Sequence, residues 1–137
     1  MRFNTGQVQE LAGIRREQLR HWRKVLPPLA GRDGRTDVYT FGEALALAVL
    51  VALVEGLGIS VSRLSACAGD VFAVFGDRDG AADLPTLLHV TDAGDLLVDV
   101  LPECDAFASV RVAPVFAMVR ERLAPEQRQQ LSLPLDR

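Results

Sequence analysis

The chain has 137 residues, about half of them apolar (49%), which is enough for one buried core or one compact domain with a small appendage. Its net charge of −3 argues against a uniformly basic nucleic-acid coat, but the charge is unevenly spread. Residues 1–40 carry +4 and the remainder −7, a basic end followed by an acidic one. Cys67 and Cys104 have no CxxC partner and no matching histidine pair, so the spacing offers neither a zinc site nor a disulfide framework.

The opening MRFNTGQVQE lacks the apolar stretch of a secretory leader, and the apolar run at 44–54 is only eleven residues long against the ~20 needed to span a bilayer. The expectation is a cytoplasmic protein without a membrane partner.

In chain order, Thr5 is placed to cap a first helix running to about residue 11, with Val8, Leu11 and Ala12 on one face. Gly13 supplies a turn. A second helix over about 15–24 sends Leu19 and Trp22 to the core with Ile14, and leaves Arg16, Gln18, Arg20, His21, Arg23 and Lys24 around the other faces. Pro27 and Pro28 end it.

Residues 29–39 read as a small hairpin, turned by Gly31, Asp33 and Gly34, with Arg32 and Arg35 at its tip and Val38 and Tyr39 in strand character. Thr40 and Glu43 then form a T-x-x-E capping box for a helix to about residue 55, apolar nearly all round and so buried, stopped by Gly56 and Gly58. Ser60 or Ser62 caps the next helix, which carries Leu64, Ala68, Val71, Phe72 and Phe75 inward; a loop follows.

Beyond Pro85, TLLHV and LLVDV flank the turn signal at 91–95 and predict a β-hairpin, with a third strand near 109–112. A last helix over about 114–123 presents Val115, Met118, Val119 and Arg122 on one face, and Pro125 closes it. The fold class is therefore α+β. The expected division is an N-terminal unit at 1–64, a small α+β dimerisation or regulatory unit at 65–125 with a hairpin and a C-terminal helix, and a flexible tail at 126–137.

LAGIRREQLRHWRK, followed by GRTDVYTFGEALALAVLVALVEGLGISVSRL, resembles the winged helix-turn-helix of the MerR family of DNA-binding regulators over residues 3–64. Leu19, Arg20, His21 and Trp22 match the family's recognition-helix signature, and Arg35 and Tyr39 match its wing. The resemblance implies a recognition helix in the major groove of double-stranded DNA, with the wing on the phosphate backbone. Arg20, His21 and Trp22 would then face phosphates, and Arg15, Arg16 and Gln18 would read bases. Arg can grip guanine and Gln can pair with adenine. Arg23 and Lys24 would add sequence-independent attraction, Arg35 would anchor the wing, and Arg32 and Tyr39 would join them as DNA contacts. A homodimer is implied, because one reading head gives too little specificity for regulation. Two departures stand out: Arg15 occupies the position of a small hydroxyl cap, and the long dimerisation helix of many relatives has no counterpart after residue 75.

The alternative for each residue is structural. Trp22 and Leu19 suit a core, and an arginine-rich helix face is often only solvated. His89 sits in a strand pattern as a structural histidine. Asp92, Asp95, Asp99, Glu103 and Asp105 follow no metal-loop template, so an acidic surface and no metal or cofactor is expected. No Ser, His and acid form a catalytic set around Ser65 or Ser109, and no phosphate loop is present, so no enzyme is expected.

Gln130, Leu131, Leu133 and Leu135, in QLSLPL, resemble the short motif by which bacterial replication and repair proteins dock on the sliding clamp. Packing of these leucines on the chain itself is the plain alternative. Three functions follow: a MerR-like transcriptional regulator at the bacterial nucleoid; a DNA-binding adaptor, excisionase-like or replication-linked, with a tail-bound partner; and a protein-binding module such as an antitoxin.

Overall fold

Helix α3 (Phe41–Val51) passes through the middle of the molecule, and every residue in it except Glu43 is buried. A helix without a polar face cannot lie on a surface, so other elements must enclose it. A computed structural model describes residues 1–30, 39–76, 83–103 and 107–132. Around α3 pack α1 (Thr5–Ala12), α4 (Val61–Phe75) and α5 (Val112–Glu121). Ala44, Ala46 and Ala48 let these neighbours approach closely, and Phe41 meets Phe116 of α5 edge to face, with centroids 5.9 Å apart.

The start of α3 is fixed by the expected capping box. Thr40 Oγ1 accepts from the Glu43 N–H at 3.1 Å, and Glu43 Oε1 accepts from the Thr40 N–H at 3.0 Å. The same hydroxyl donates to the Gly76 carbonyl at the end of α4, 3.1 Å away, so one side chain ties two helix ends together. At its other end α3 loosens into a π-helical turn over Ala52–Gly56, and Gly58 follows in the left-handed conformation at φ 72°. Ser60 caps α4.

Two small sheets complete an α+β fold. Strand β1 (Arg2–Phe3) pairs antiparallel with β2 (Tyr39–Thr40), Phe3 opposite Tyr39. That pairing was not foreseen from sequence, because two-residue strands have no periodicity to detect. The hairpin expected at 29–39 falls largely on 31–38, outside the described residues; Leu29 belongs to a 3₁₀ turn over Pro27–Leu29.

The second sheet has the order β4–β3–β5, all antiparallel, with β3 at Leu87–Thr91, β4 at Leu96–Val98 and β5 at Phe107–Arg111. Leu88 and Val90 of β3 are buried toward the helices. The hairpin turn docks on α4: a Cβ on Gly94, whose φ is 89°, would stand 3.2 Å from the Ala66 Cβ. Asp99, also left-handed at φ 56°, accepts the Thr86 and Leu87 N–H groups on Oδ1 at 2.8 Å each. Its carboxylate is thus accounted for structurally.

Several expectations need correction. Asn4, not Thr5, caps α1, accepting from the Gln7 N–H at 2.8 Å while Gln7 Oε1 accepts from the Asn4 N–H at 2.9 Å. Met118 is 39% exposed, because the inward face of α5 is set by Val112, Val115 and Val119. The helix starts at Val112 rather than at Pro114, with β5 running directly into it. The tail is helical as α6 (Pro125–Ser132), and Leu131 is fully buried. The boundary expected at residue 64 falls inside α4, and one buried cluster extends from Phe3 to Leu131. Among the described residues no helix is long and apolar enough to cross a membrane.

Removal of the Thr40 hydroxyl, in Thr40→Ala, is expected to lower unfolding stability by about 1–2 kcal/mol, because the cap and the bond to Gly76 are lost together. Urea titration monitored by far-UV circular dichroism reads this directly.

Candidate nucleic-acid interface

Helices α1 and α2 (Arg16–Val25) are joined by a short turn at Gly13, and sterics dictate its residue. Gly13 has φ 71°, and its N–H and that of Ile14 both reach back to the Gln9 carbonyl, at 3.0 and 3.1 Å. Ile14, Leu19 and Trp22 then enter the core, which fixes the rotation of α2 about its axis.

That rotation sorts the candidate residues. Arg16, Arg20 and Lys24 recur every four positions and form one exposed stripe opposite Leu19 and Trp22, with Glu17 and His21 along its edge. None of the three basic residues in the stripe has an ion-pair partner among the described residues. Arg15 is exposed at the head of α2 as its N-cap, and its side chain makes no capping bond. Cationic side chains held without carboxylate partners on a helix face can neutralise phosphate or reach a base edge.

Other candidates are directed elsewhere. Trp22 is 1% exposed and Tyr39 fully buried, so neither presents a ring to a ligand; both belong to the buried core cluster. Gln18 lies on the flank next to Trp22, with its Oε1 buried and unpartnered, which removes it from the exposed stripe. Arg23 turns along the protein: its Nη2 donates to Thr5 Oγ1 at 3.3 Å and to the Tyr39 hydroxyl at 3.5 Å. It braces α2 against α1 and β2. Arg32 and Arg35 lie outside the described residues.

One contact was invisible in the sequence. Arg122, just beyond α5, donates from Nη1 to the Leu11 carbonyl at 3.1 Å and lies over the Gly13 turn. The C-terminal half of the chain therefore braces the turn that orients α2. No local signal marks such a contact, because its partners are 111 positions apart.

Away from α2, the acidic hairpin is solvated: Asp92, Asp95, Asp99 and Glu103 are exposed, and Asp92 pairs with Arg63 at 3.2 Å. Among the described residues no group of three or more His, Cys, Asp or Glu is placed to hold a metal. His89 is 4% exposed, with Nδ1 2.6 Å from Ser109 Oγ, and no carboxylate among the described residues completes a relay. Burial pushes the Cys67 thiol above its ordinary value; the nearby Asp70 carboxylate adds to this, and a backbone hydrogen bond opposes it. Gln130 is exposed on α6 but Leu131 is buried, and Leu133 and Leu135 lie outside the described residues.

No protein-family model matches the chain, and no curated protein or solved structure matches it.

Replacing Gly13 by Ala is expected to cost about 1–2 kcal/mol through its left-handed backbone. The added Cβ would lie 2.8 Å from Arg122 Nη1, the far end of a flexible side chain. Arg122 can move aside, so most of the cost should persist in an Arg122→Ala background, as a double-mutant cycle of unfolding energies would show. The raised Cys67 value favours the neutral thiol in the folded chain. Its stabilising share is complete below the ordinary thiol range and falls as pH rises through the folded value. The stability gap between the wild type and Cys67→Ala should accordingly narrow between neutral pH and pH of about 10.

Proposed function

We propose that the chain is a sequence-specific double-stranded-DNA-binding protein, a MerR-like winged helix-turn-helix transcriptional regulator acting as a homodimer at the bacterial nucleoid. The observation that carries this reading is the exposed Arg16–Arg20–Lys24 stripe on α2, without ion-pair partners among the described residues and rotated outward by the burial of Leu19 and Trp22. A stripe of this length and charge suits a helix laid in the major groove. Arg16 and Arg20 are the base-reading candidates, Arg15 reaches from the head of the helix, and Lys24 and His21 serve the flanking phosphates. Trp22, Tyr39 and Arg23 hold the reader in position rather than touching DNA.

The protein's acidic hairpin would repel the polyanion, so it belongs on the side away from the duplex and favours a single docking orientation. The adaptor reading, with QLSLPL on a sliding clamp, is weakened because Leu131 is packed in the core and would have to leave it. An interaction module without DNA would leave the cationic stripe unexplained.

Selection from a random duplex library should yield a two-fold symmetric site for the full chain. In gel-shift titrations against it, Arg16→Ala and Arg20→Ala should each lose about 1–3 kcal/mol of binding, with relaxed specificity at one base position per half-site. Lys24→Ala should weaken all sequences alike and reduce the salt slope by about one. Gln18→Ala should change affinity little. Unaltered binding in the double Arg16→Ala/Arg20→Ala variant, with an unchanged fold, would rule the reading out.

A further inference from the structure

Among the described residues, strand β5 is an edge of its sheet, paired with β3 alone. Its phase is set by one bond: the Val112 N–H donates to the Thr86 carbonyl at 3.0 Å, which makes Thr86 and Val112 a hydrogen-bonded pair. Bonded pairs alternate along an antiparallel ladder, so Val110 opposite Leu88 and Ala108 opposite Val90 are the next two. Ala108 and Val110 thus spend their backbone groups on β3. Phe107, Ser109 and Arg111 aim theirs at the open edge.

Open edges are ordinarily blunted by proline, bulges or several charges, because they recruit other strands. Over Phe107–Arg111 there is no proline, no glycine and no bulge, and Arg111 is the sole charge. The strand is also self-complementary. When it is laid antiparallel on a copy of itself with Ser109 facing Ser109, Phe107 faces Arg111 of the copy. All three residues with outward-aimed groups then fall on bonded pairs, giving about four hydrogen bonds, because the Arg111 carbonyl, as the N-cap of α5, serves the first turn of that helix. Each guanidinium meets an exposed aromatic ring, and no like charges are opposed. A register shifted by one residue would set outward-aimed groups against none.

Apolar side chains are also exposed near this strand. Phe107 is 43% and Leu57 46% exposed, and both line a cleft of about 320 Å³ with Ile59 and Ala108, which Arg63, Thr91 and Asp92 also line. The outer face of α5, which leaves β5 directly, carries Ala113, Pro114, Ala117 and Met118, with Glu121 at its end. A strand edge alone buries less than the ~800 Å² per partner of a typical stable interface, and these flanks supply further area.

We propose that β5 is the dimerisation strand: two copies of the chain join antiparallel through its open edge, Ser109 on the two-fold axis, into one continuous six-stranded sheet. This specifies the partner surface that a two-fold DNA reader requires, yet it stands on the geometry of β5 and is testable without DNA.

The test uses the full chain carrying Cys104→Ser. Sedimentation at tens of micromolar should give a dimer. Ser109→Cys should cross-link under mild oxidation to near completion, because facing α-carbons in a bonded pair stand about 5.5 Å apart, within disulfide reach. Ser62→Cys, exposed on α4, should not. Ser109→Pro removes an outward N–H and leaves the β3 ladder intact, so it should sediment as a monomer with unchanged circular dichroism. A monomeric parent chain, a dimer in which Ser109→Cys fails to cross-link, or a folded Ser109→Pro that remains dimeric would each overturn the proposal. Should Ser109→Pro not fold, the cross-linking result decides alone.

Discussion

Everything else in this molecule is arranged around a helix that has no surface of its own. From Ala44 to Val51, α3 presents only aliphatic side chains, all buried. Each Leu and Val among them gains roughly 1.5–3 kcal/mol by leaving water, and a helix with no polar stripe collects that gain only when it is covered on every side. The cover is drawn from the whole chain: α1 from the basic end, α4 from the middle, α5 from the acidic half. This explains why the basic and acidic halves, so distinct in charge, share one core rather than forming two.

The same enclosure couples the candidate reader to the remainder of the fold. Helix α1 rests on α3 and α5, α2 packs on α4 and the Pro27–Leu29 turn, and the Arg122 guanidinium reaches the Leu11 carbonyl near the turn between α1 and α2. Arg23 performs a similar task at the other end of α2, linking it to Thr5 and Tyr39. Arg23, a DNA-contact candidate by charge, and Arg122, which was not one, thus both act as braces around the helix that carries the exposed cations. Rigid support of this kind favours recognition, since a reading helix held in place loses less entropy on binding.

The three-stranded sheet is the least committed part. Its inner face is closed by Leu88 and Val90 on the helices, its β3–β4 turn is fastened to α4 through Gly94 and the Arg63–Asp92 pair, and β5 remains open along one edge. The exposed carboxylates of the hairpin and the mixed Phe107, Ser109 and Arg111 row of β5 are two surfaces of different chemistry.

Periodicity and end signals are local, and they made much of the fold legible. The glycine turn, the capping box at Thr40 and Glu43, the encircling apolarity of α3 and the TLLHV/LLVDV hairpin are properties of neighbouring residues. Charge type also marked α2 as the candidate surface. What a linear reading cannot supply is direction. Trp22, Tyr39, Gln18 and Arg23 share α2's neighbourhood with Arg16 and Arg20, and only the packing of Leu19 and Trp22 against the core decided which of them look outward. The β1–β2 pair, the burial of Leu131 and the Arg122 brace depend on partners tens of residues distant, whose approach is decided by the closure of the core around α3. The sequence by itself determined the helices α1 to α5, the β3–β4 hairpin and where the cations lie. Tertiary structure alone decided which cations of α2 face outward and which brace the fold, because burial and hydrogen bonding are properties of the assembled core.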